Sequence, residues 1–200
     1  DAIVWLAEEN KSAEVVKMVT SLSDFFRTTL SKGHDYITVK EERTHIESYL
    51  EIQQFRYQDI LDYGIQMDEE IYGYIIPKLT LQPLVENALY HGIKNKRGKG
   101  KITVRGYRED SFFILEVRDN GIGMQTERLV QVRNALLYKQ LAESKVYGLY
   151  NVNERIRLNC GEEYGLRISS TYQEGTTVKI LLPDADSGLS SLEEEIQPDS

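Results

Sequence analysis

Along the first third of the chain the apolar positions recur at helical spacing. Val15, Val19, Leu22 and Phe26 fall at i, i+4, i+7 and i+11, with Ile3, Val16 and Leu30 widening the stripe, so residues 1–31 are expected to form one amphipathic helix ended by Gly33. A second helix is expected from Thr38, where Thr38 and Glu41 match the S/T-x-x-E capping box, and Ile46, Tyr49, Leu50, Gln53 and Tyr57 continue it. Two helices with a short connection predict a hairpin whose stripes are wide enough to pack a second copy as well. "DAIVWLAEEN" already reads as mid-helix and residue 1 is Asp, so this is expected to be a fragment with further sequence upstream.

After about residue 62 the pattern changes. "YGIQMD" is a short strand candidate, and Pro77 to Lys94 contains a helix. "KITVRGYRE" and "SFFILEVRDN" alternate with period two and predict an antiparallel hairpin around Glu109 and Asp110. Residues 126–142 and 149–159 are expected to be helical, and "GLRISSTY" and "TTVKILLP" supply a second strand pair. The fold class is therefore α+β: an N-terminal helical hairpin over residues 1–62, then an α/β sandwich over 63–183 with helices layered on one face of a mixed, mainly antiparallel sheet. The acidic, Ser-rich stretch 184–200 is expected to be a disordered tail.

Composition narrows the function more than the fold. Hydrophobic residues make up 40% and charged residues 28%, as in ordinary globular proteins. The net charge of −8 argues against nucleic acid as a partner, since phosphate contacts need clustered Lys and Arg. One cysteine, Cys160, excludes an intrachain disulfide. No run of about 18 apolar residues spans a membrane, and there is no signal-peptide pattern.

Four stretches carry chemistry. In "ILEVRDNGIGM" the strand period that puts Phe113, Leu115 and Val117 on one face puts Asp119 there too. A buried carboxylate needs a partner, and an exocyclic purine amine is a natural donor to it. Gly121 and Gly123 follow, allowing a tight turn and a ligand close to backbone. The plainer reading is a turn with Asp119 as a helix cap. In "LQPLVENALYHGIK" the apolar stripe is Leu81, Leu84, Val85 and Ala88, with Asn87, His91 and Lys94 along one flank and Glu86 on the other. "YGLYNVNERIRL" places Gly148 just before a helix N-terminus, where backbone N–H groups receive phosphate. In "EGTTVKILLP", Gly175, Thr176 and Thr177 open the last strand.

In this order the four stretches resemble the Bergerat-fold ATPases and kinases. The wording "LQPLVENAL-HGI", preceded by "YLEIQQFRY", resembles the sensor histidine kinases of the LytS/YesM type, and the resemblance covers residues 15–183. It implies ATP and Mg²⁺ as cofactors, with Asn87 holding Mg²⁺ against the phosphates. It implies that Glu86 accepts or orients the proton of a phospho-accepting histidine and that Asp119 reads adenine. Gly121 with Gly123 and Gly148 with Leu149 correspond to the glycine boxes, Thr177, beside Thr176, to a supporting contact, and residues 124–147 to a lid over ATP. It further implies a homodimer, a response-regulator receiver domain as partner, and a cytoplasmic position in a membrane-anchored sensor whose anchor lies outside this chain.

Two departures stand out. Tyr90 occupies the position where the family carries Lys or Arg, leaving a phosphate cation to come from His91, Lys94, Lys139 or Lys145. The acceptor histidine of the family lies upstream of the stretch matching residues 1–10; His34 and His45 read as ordinary surface or interfacial histidines. Two other functions compete. An ATP hydrolase of the topoisomerase or chaperone kind needs a glutamate one turn before the asparagine, where Pro83 stands. A degenerate, non-catalytic ATP-binding module is the reading that Tyr90 keeps open.

Overall fold

A computed structural model of the chain describes residues 2–30, 35–138 and 146–184. Gly33, His34, Lys139, Lys145 and the tail beyond Asp184, to which the sequence reading assigns roles, lie outside the described residues.

The expected first helix is two: α1 (Ala2–Glu8) and α2 (Ser12–Leu30). Asn10 separates them, with φ at +55° and its N–H bonded to the Ala7 carbonyl at 3.0 Å. Asn tolerates this left-handed conformation, which closes one helix as a C-terminal glycine does. After β1 (Tyr36–Thr38) comes α3 (Val39–Arg56), and the expected capping box is present. Glu41 N–H donates to Thr38 Oγ1 at 3.2 Å, and Thr38 N–H donates back to Glu41 Oε2 at 2.7 Å.

Helices α2 and α3 pack antiparallel. Lys17 meets Glu51 at 3.2 Å at one end, and the Phe25 ring stacks on His45 at 4.8 Å towards the other. The pairing uses only part of the α2 stripe. Val16, Val19, Phe26 and Leu30 stay about half exposed or more.

The chain continues with β2 (Leu61–Met67), β3 (Ile75–Pro77), α4 (Gln82–Asn87), β4 (Gly100–Glu109), β5 (Phe112–Asp119), α5 (Thr126–Leu137), α6 (Tyr147–Cys160), β6 (Gly165–Thr171) and β7 (Gly175–Pro183). Five strands form one sheet in the order β2-β4-β5-β7-β6. β2 runs parallel to β4, with Leu61 opposite Gly100, and the other pairs are antiparallel, so the sheet is mixed as expected. A parallel pair needs a long crossover, and here the crossover contains β3 and α4. The separate β1–β3 ladder, with Ile37 opposite Ile76, was not legible in the sequence, because three-residue strands are too short to show a period.

One hydrophobic core joins the sheet to the helices. Ile46 and Leu50 of α3, Leu84 and Val85 of α4, and Ile156 of α6 pack in the same cluster as Ile102, Leu115 and Ile180 of the sheet. Inside this core lies Glu42, fully buried. Its carboxylate accepts from the Leu81 N–H at 2.6 Å and the Leu79 N–H at 3.1 Å, at the entry to α4. Leu79 has φ at +57°, an uncommon conformation for a leucine, and the Glu42 contact helps hold it. Burial pushes the Glu42 carboxyl up to about 7, while these N–H groups and the nearby Arg155 guanidinium pull the other way.

Glu42→Ala is expected to lower stability by about 2–3 kcal/mol, since it leaves two buried donors unpaired. Urea denaturation checks this. Because the folded-state value lies above the ordinary 4.5, the contribution of this group is fully present below pH 4.5 and is lost as pH rises through about 7. Glu42→Gln should flatten the stability profile across that window.

Candidate functional site

The helix that opens at Gln82 is not uniform. It runs as α-helix to Asn87, widens into a π turn over Ala88–Gly92, and closes as a 3₁₀ turn over Ile93–Asn95. Such wide turns are frequent at functional sites. Here the wide turn keeps residues four apart nearly in line, so the helix carries two polar flanks. Gln82, Glu86, Tyr90 and Lys94 form one, and Asn87, His91 and Asn95 the other.

The second flank walls a cleft of about 500 Å³, within the size range of small-molecule sites. Opposite stand Ile122, Gly123 and Met124 from the turn after β5, Arg128 and Val132 of α5, and Val146 and Leu149 at the start of α6. Of the residues singled out in the sequence, the cleft thus gathers Asn87, His91, Gly123 and Leu149. The Asn87 side chain, half-buried, makes no hydrogen bond among the described residues. A second cleft, of about 400 Å³ between α5, α6 and β6, holds none of these residues.

Asp119 lies one layer beneath. It is buried, and its Oδ1 accepts from the Gly121 N–H at 2.8 Å, with a further bond from the Thr176 N–H. Burial raises its carboxyl to about 6, against the pull of these donors and of Lys96. Gly92 lies directly over it: a Cβ on Gly92 would come within 2.5 Å of Asp119 Oδ1. A Cβ on Gly121 would meet the Gly92 backbone at 2.3 Å, and Gly123 has φ at +61°. These three glycines let the turn and the helix close on the carboxylate.

Three expected placements differ. Thr177 pairs with Arg118, whereas Thr176 pairs with Asp119, so strand alternation puts Thr176 and not Thr177 on the Asp119 face. Thr176 Oγ1 lies 2.9 Å from Ser170 Oγ, and Ser170 Oγ accepts from the Met124 N–H at 2.8 Å, tying the glycine turn to β6 and β7. Lys94 leaves the cleft flank: its ammonium sits 5.0 Å above both the Tyr57 and Tyr90 rings, 3.3 Å from the Tyr57 hydroxyl. Gly148 is the second residue of α6 rather than the residue before it. A helix start leaves its first N–H groups without intrahelical acceptors, so the Tyr147, Gly148 and Leu149 N–H groups are the candidates to meet a ligand.

Several residues were missed. Arg128 brings a cation to the cleft and Asn95 extends its polar wall. His45, expected at the surface or an interface, is interfacial and buried, and its ring nitrogens meet Thr28 and Gln82 at 2.8 Å each. Glu86, on the flank facing α3, accepts from Gln82 Nε2 at 2.8 Å. The i, i+4 spacing of Gln82 and Glu86 was the available signal. Tyr90 lies on this flank too, hydrogen-bonded to Tyr49, so its replacement of a cation does not alter the wall of the cleft.

A mixed sheet covered on one face by helices, with a nucleotide-sized cleft between the glycine turn after β5 and the start of α6, is the layout of the ATP-binding sandwich of the Bergerat fold. Residues 76–186 match the family model of histidine kinase-, DNA gyrase B- and HSP90-like ATPases, and the chain belongs to that family. Residues 1–61 match the histidine kinase family model. The chain is 34% identical over 183 residues to the sensor histidine kinase YesM of Bacillus subtilis, covering 92% of this chain and 30% of that protein. It is 31% identical over 173 residues to the sensor protein LytS of Staphylococcus saprophyticus, covering 86% of this chain and 29% of that one. The chain therefore spans under a third of the length of these relatives. The fold is shared with the histidine kinase domain from the Erythrobacter litoralis EL346 blue-light activated histidine kinase, at TM-score 0.52 and 15% identity, over 85% of this chain and 74% of that one. ATP is the ligand that membership in this family implies.

The glycines of the site separate by what they do. Gly121→Ala is expected to destabilise the fold by about 1–3 kcal/mol, through a clash that cannot relax without moving Gly92. Gly148→Ala should fold at least as stably as the parent, because the nearest atom to its added Cβ is Pro83 Cβ at an ordinary 3.5 Å. Paired thermal melts check the contrast, and any loss of nucleotide binding in Gly148→Ala then reports on the ligand.

Proposed function

We propose that this chain is the ATP-binding catalytic part of a sensor histidine kinase, passing the γ-phosphoryl group of ATP to a histidine and onward to an aspartate of a response regulator. The observation that carries the reading is the cleft itself, which brings together Asn87, Gly123 and Leu149 from three separate stretches, with the buried Asp119 beneath the glycine turn. Asp119 would accept the exocyclic amine of adenine, with Thr176 beside it. The N–H groups at the start of α6, with His91 and Arg128, would face the phosphates.

The donor set fits Mg²⁺ held chiefly by the nucleotide. Among the described residues no cluster of three or more His, Cys, Asp or Glu side chains is placed to chelate a metal, and Asn87 offers an unpartnered amide. When bound, the ion supplies charge neutralisation on the phosphates. Glu86, on the opposite flank, would orient or accept the proton of the incoming histidine.

The exposed Val16, Val19, Phe26 and Leu30 on α2 support association with a second copy through the helical hairpin. No helix among the described residues is long and apolar enough to cross a membrane. The hydrolase reading has no base, because Pro83 stands one turn before Asn87.

Incubation with γ-labelled Mg-ATP tests the reading. Acid-labile protein phosphate on the full-length protein, lost in Asp119→Asn, is the expected result. ATP binding without any label would instead support the non-catalytic module. Affinity should also depend on pH in a stated direction. A bound amine donor favours the ionised Asp119 carboxylate, so ATP affinity should be highest above pH 6 and fall as pH drops through it, by up to about tenfold per unit. Calorimetric titrations from pH 5 to 8, with Asp119→Asn losing both the slope and at least about tenfold in affinity, check this.

A further inference from the structure

The Glu86 flank is served by a part-buried chain of hydrogen bonds that crosses from the helical hairpin. Gln82 Nε2 donates to Glu86 Oε1 at 2.8 Å. Gln82 Oε1 lies 2.8 Å from His45 Nε2, and His45 Nδ1 lies 2.8 Å from Thr28 Oγ1 of α2. His45 is 1% exposed and is stacked on Phe25, so water does not compete for its nitrogens.

The direction of the chain is fixed by its ends. An ionised carboxylate only accepts, so the Gln82 amide must turn its NH₂ to Glu86 and its oxygen to His45. That oxygen in turn requires His45 Nε2 to carry a proton. Burial lowers the basicity of His45 and favours the neutral ring, which leaves Nδ1 as an acceptor for the Thr28 hydroxyl. The roles of Gln82 and His45 follow from the carboxylate end, while the single proton of the Thr28 hydroxyl is shared among His45 Nδ1 at 2.8 Å and the Asp24 and Phe25 carbonyls at 2.9 and 3.0 Å. Tyr49 and Tyr90 hydrogen-bond one turn further along the same flank, leaving Glu86 half-buried.

We propose that Gln82 and His45 are positioning residues for Glu86, and that through Thr28 they tie the aim of its carboxylate to the placement of α2 against α3. This rests on the histidine kinase reading, in which Glu86 handles the proton of the accepting histidine. α2 belongs to the hairpin expected to form the dimer. Sliding or rotating α2 would withdraw Thr28 from His45, and the change would reach Glu86 through two side chains without moving the nucleotide cleft.

The test is autophosphorylation of the full-length protein, with ATP affinity measured alongside. Gln82 is half-buried, so Gln82→Ala should fold. It is expected to slow phosphoryl transfer roughly tenfold, a fraction of what a placed acid–base group contributes, with KM for ATP within about twofold of the parent. Gln82→Glu, which sets a second acceptor against Glu86, should be slower than Gln82→Ala. His45→Gln, which keeps an N–H donor, should retain more activity than His45→Ala. In a Glu86→Gln background the Gln82→Ala loss should vanish, because residues acting as one unit are not additive.

A Gln82→Ala loss that persists undiminished in the Glu86→Gln background, or that falls on KM, would show a merely structural role and overturn the proposal. Full activity in Gln82→Ala would do the same. If the parent protein binds ATP but never labels, the kinase reading itself fails, and the positioning role fails with it.

Discussion

The carboxylate of Glu42 against the N–H groups of Leu79 and Leu81 is the contact that fixes everything downstream of it. It grips the backbone where the crossover from β3 turns into the nucleotide helix, and it does so from α3. A buried acid in such a place costs desolvation, and the raised value of its carboxyl records that cost. What the fold gains is register. With the start of the helix pinned, its Gln82, Glu86, Tyr90 and Lys94 flank lies along His45 and Tyr49 of α3 and Tyr57 just past its end, and the Asn87 flank turns to the cleft. Aliphatic packing alone would hold the helix close without fixing its rotation.

Seen this way, the helical hairpin and the sheet domain are not two bodies joined by a tether. Ile46 and Leu50 share the core of the sheet, and the β1–β3 ladder ties the entry of α3 to the strand preceding Glu42's grip. The face of the hairpin left unsatisfied is on α2, whose apolar side chains remain in solvent. The division of labour follows: α3 belongs to the nucleotide domain mechanically, and α2 is the element free to answer to another chain.

Much of this was legible. The capping box at Thr38 and Glu41, the period-two strands around Glu109 and the buried Asp119 before its glycines are local patterns, and each stands where the sequence put it. What could not be read depends on contacts between distant stretches. Thr176 and Thr177 are equivalent until strand register decides between them. Lys94 reads as a phosphate ligand until two tyrosine rings from distant stretches of the chain meet its ammonium. Glu42 and His45 look like surface residues of a polar helix because their partners lie some forty residues away, at 79–82. The break at Asn10 was locally visible in principle, but a strong apolar stripe on either side masked it.

The π turn at Ala88–Gly92 has a consequence for how such a helix can vary. An ordinary α-helix advances about 100° per residue, so two polar rows four residues apart drift around the axis and part company within a few turns. The wide turn takes up that drift, and Asn87, His91 and Asn95 keep a common phase as a result. Closing the turn to α geometry at the same length would advance all that follows by about a quarter turn, carrying His91 and Asn95 out of the cleft while Asn87 stayed, whereas loss of one residue along with the closure would nearly offset that advance. Width, not only identity, is thus part of the code in this stretch: the wide turn, rather than any one side chain, holds the asparagine and the histidine on one face.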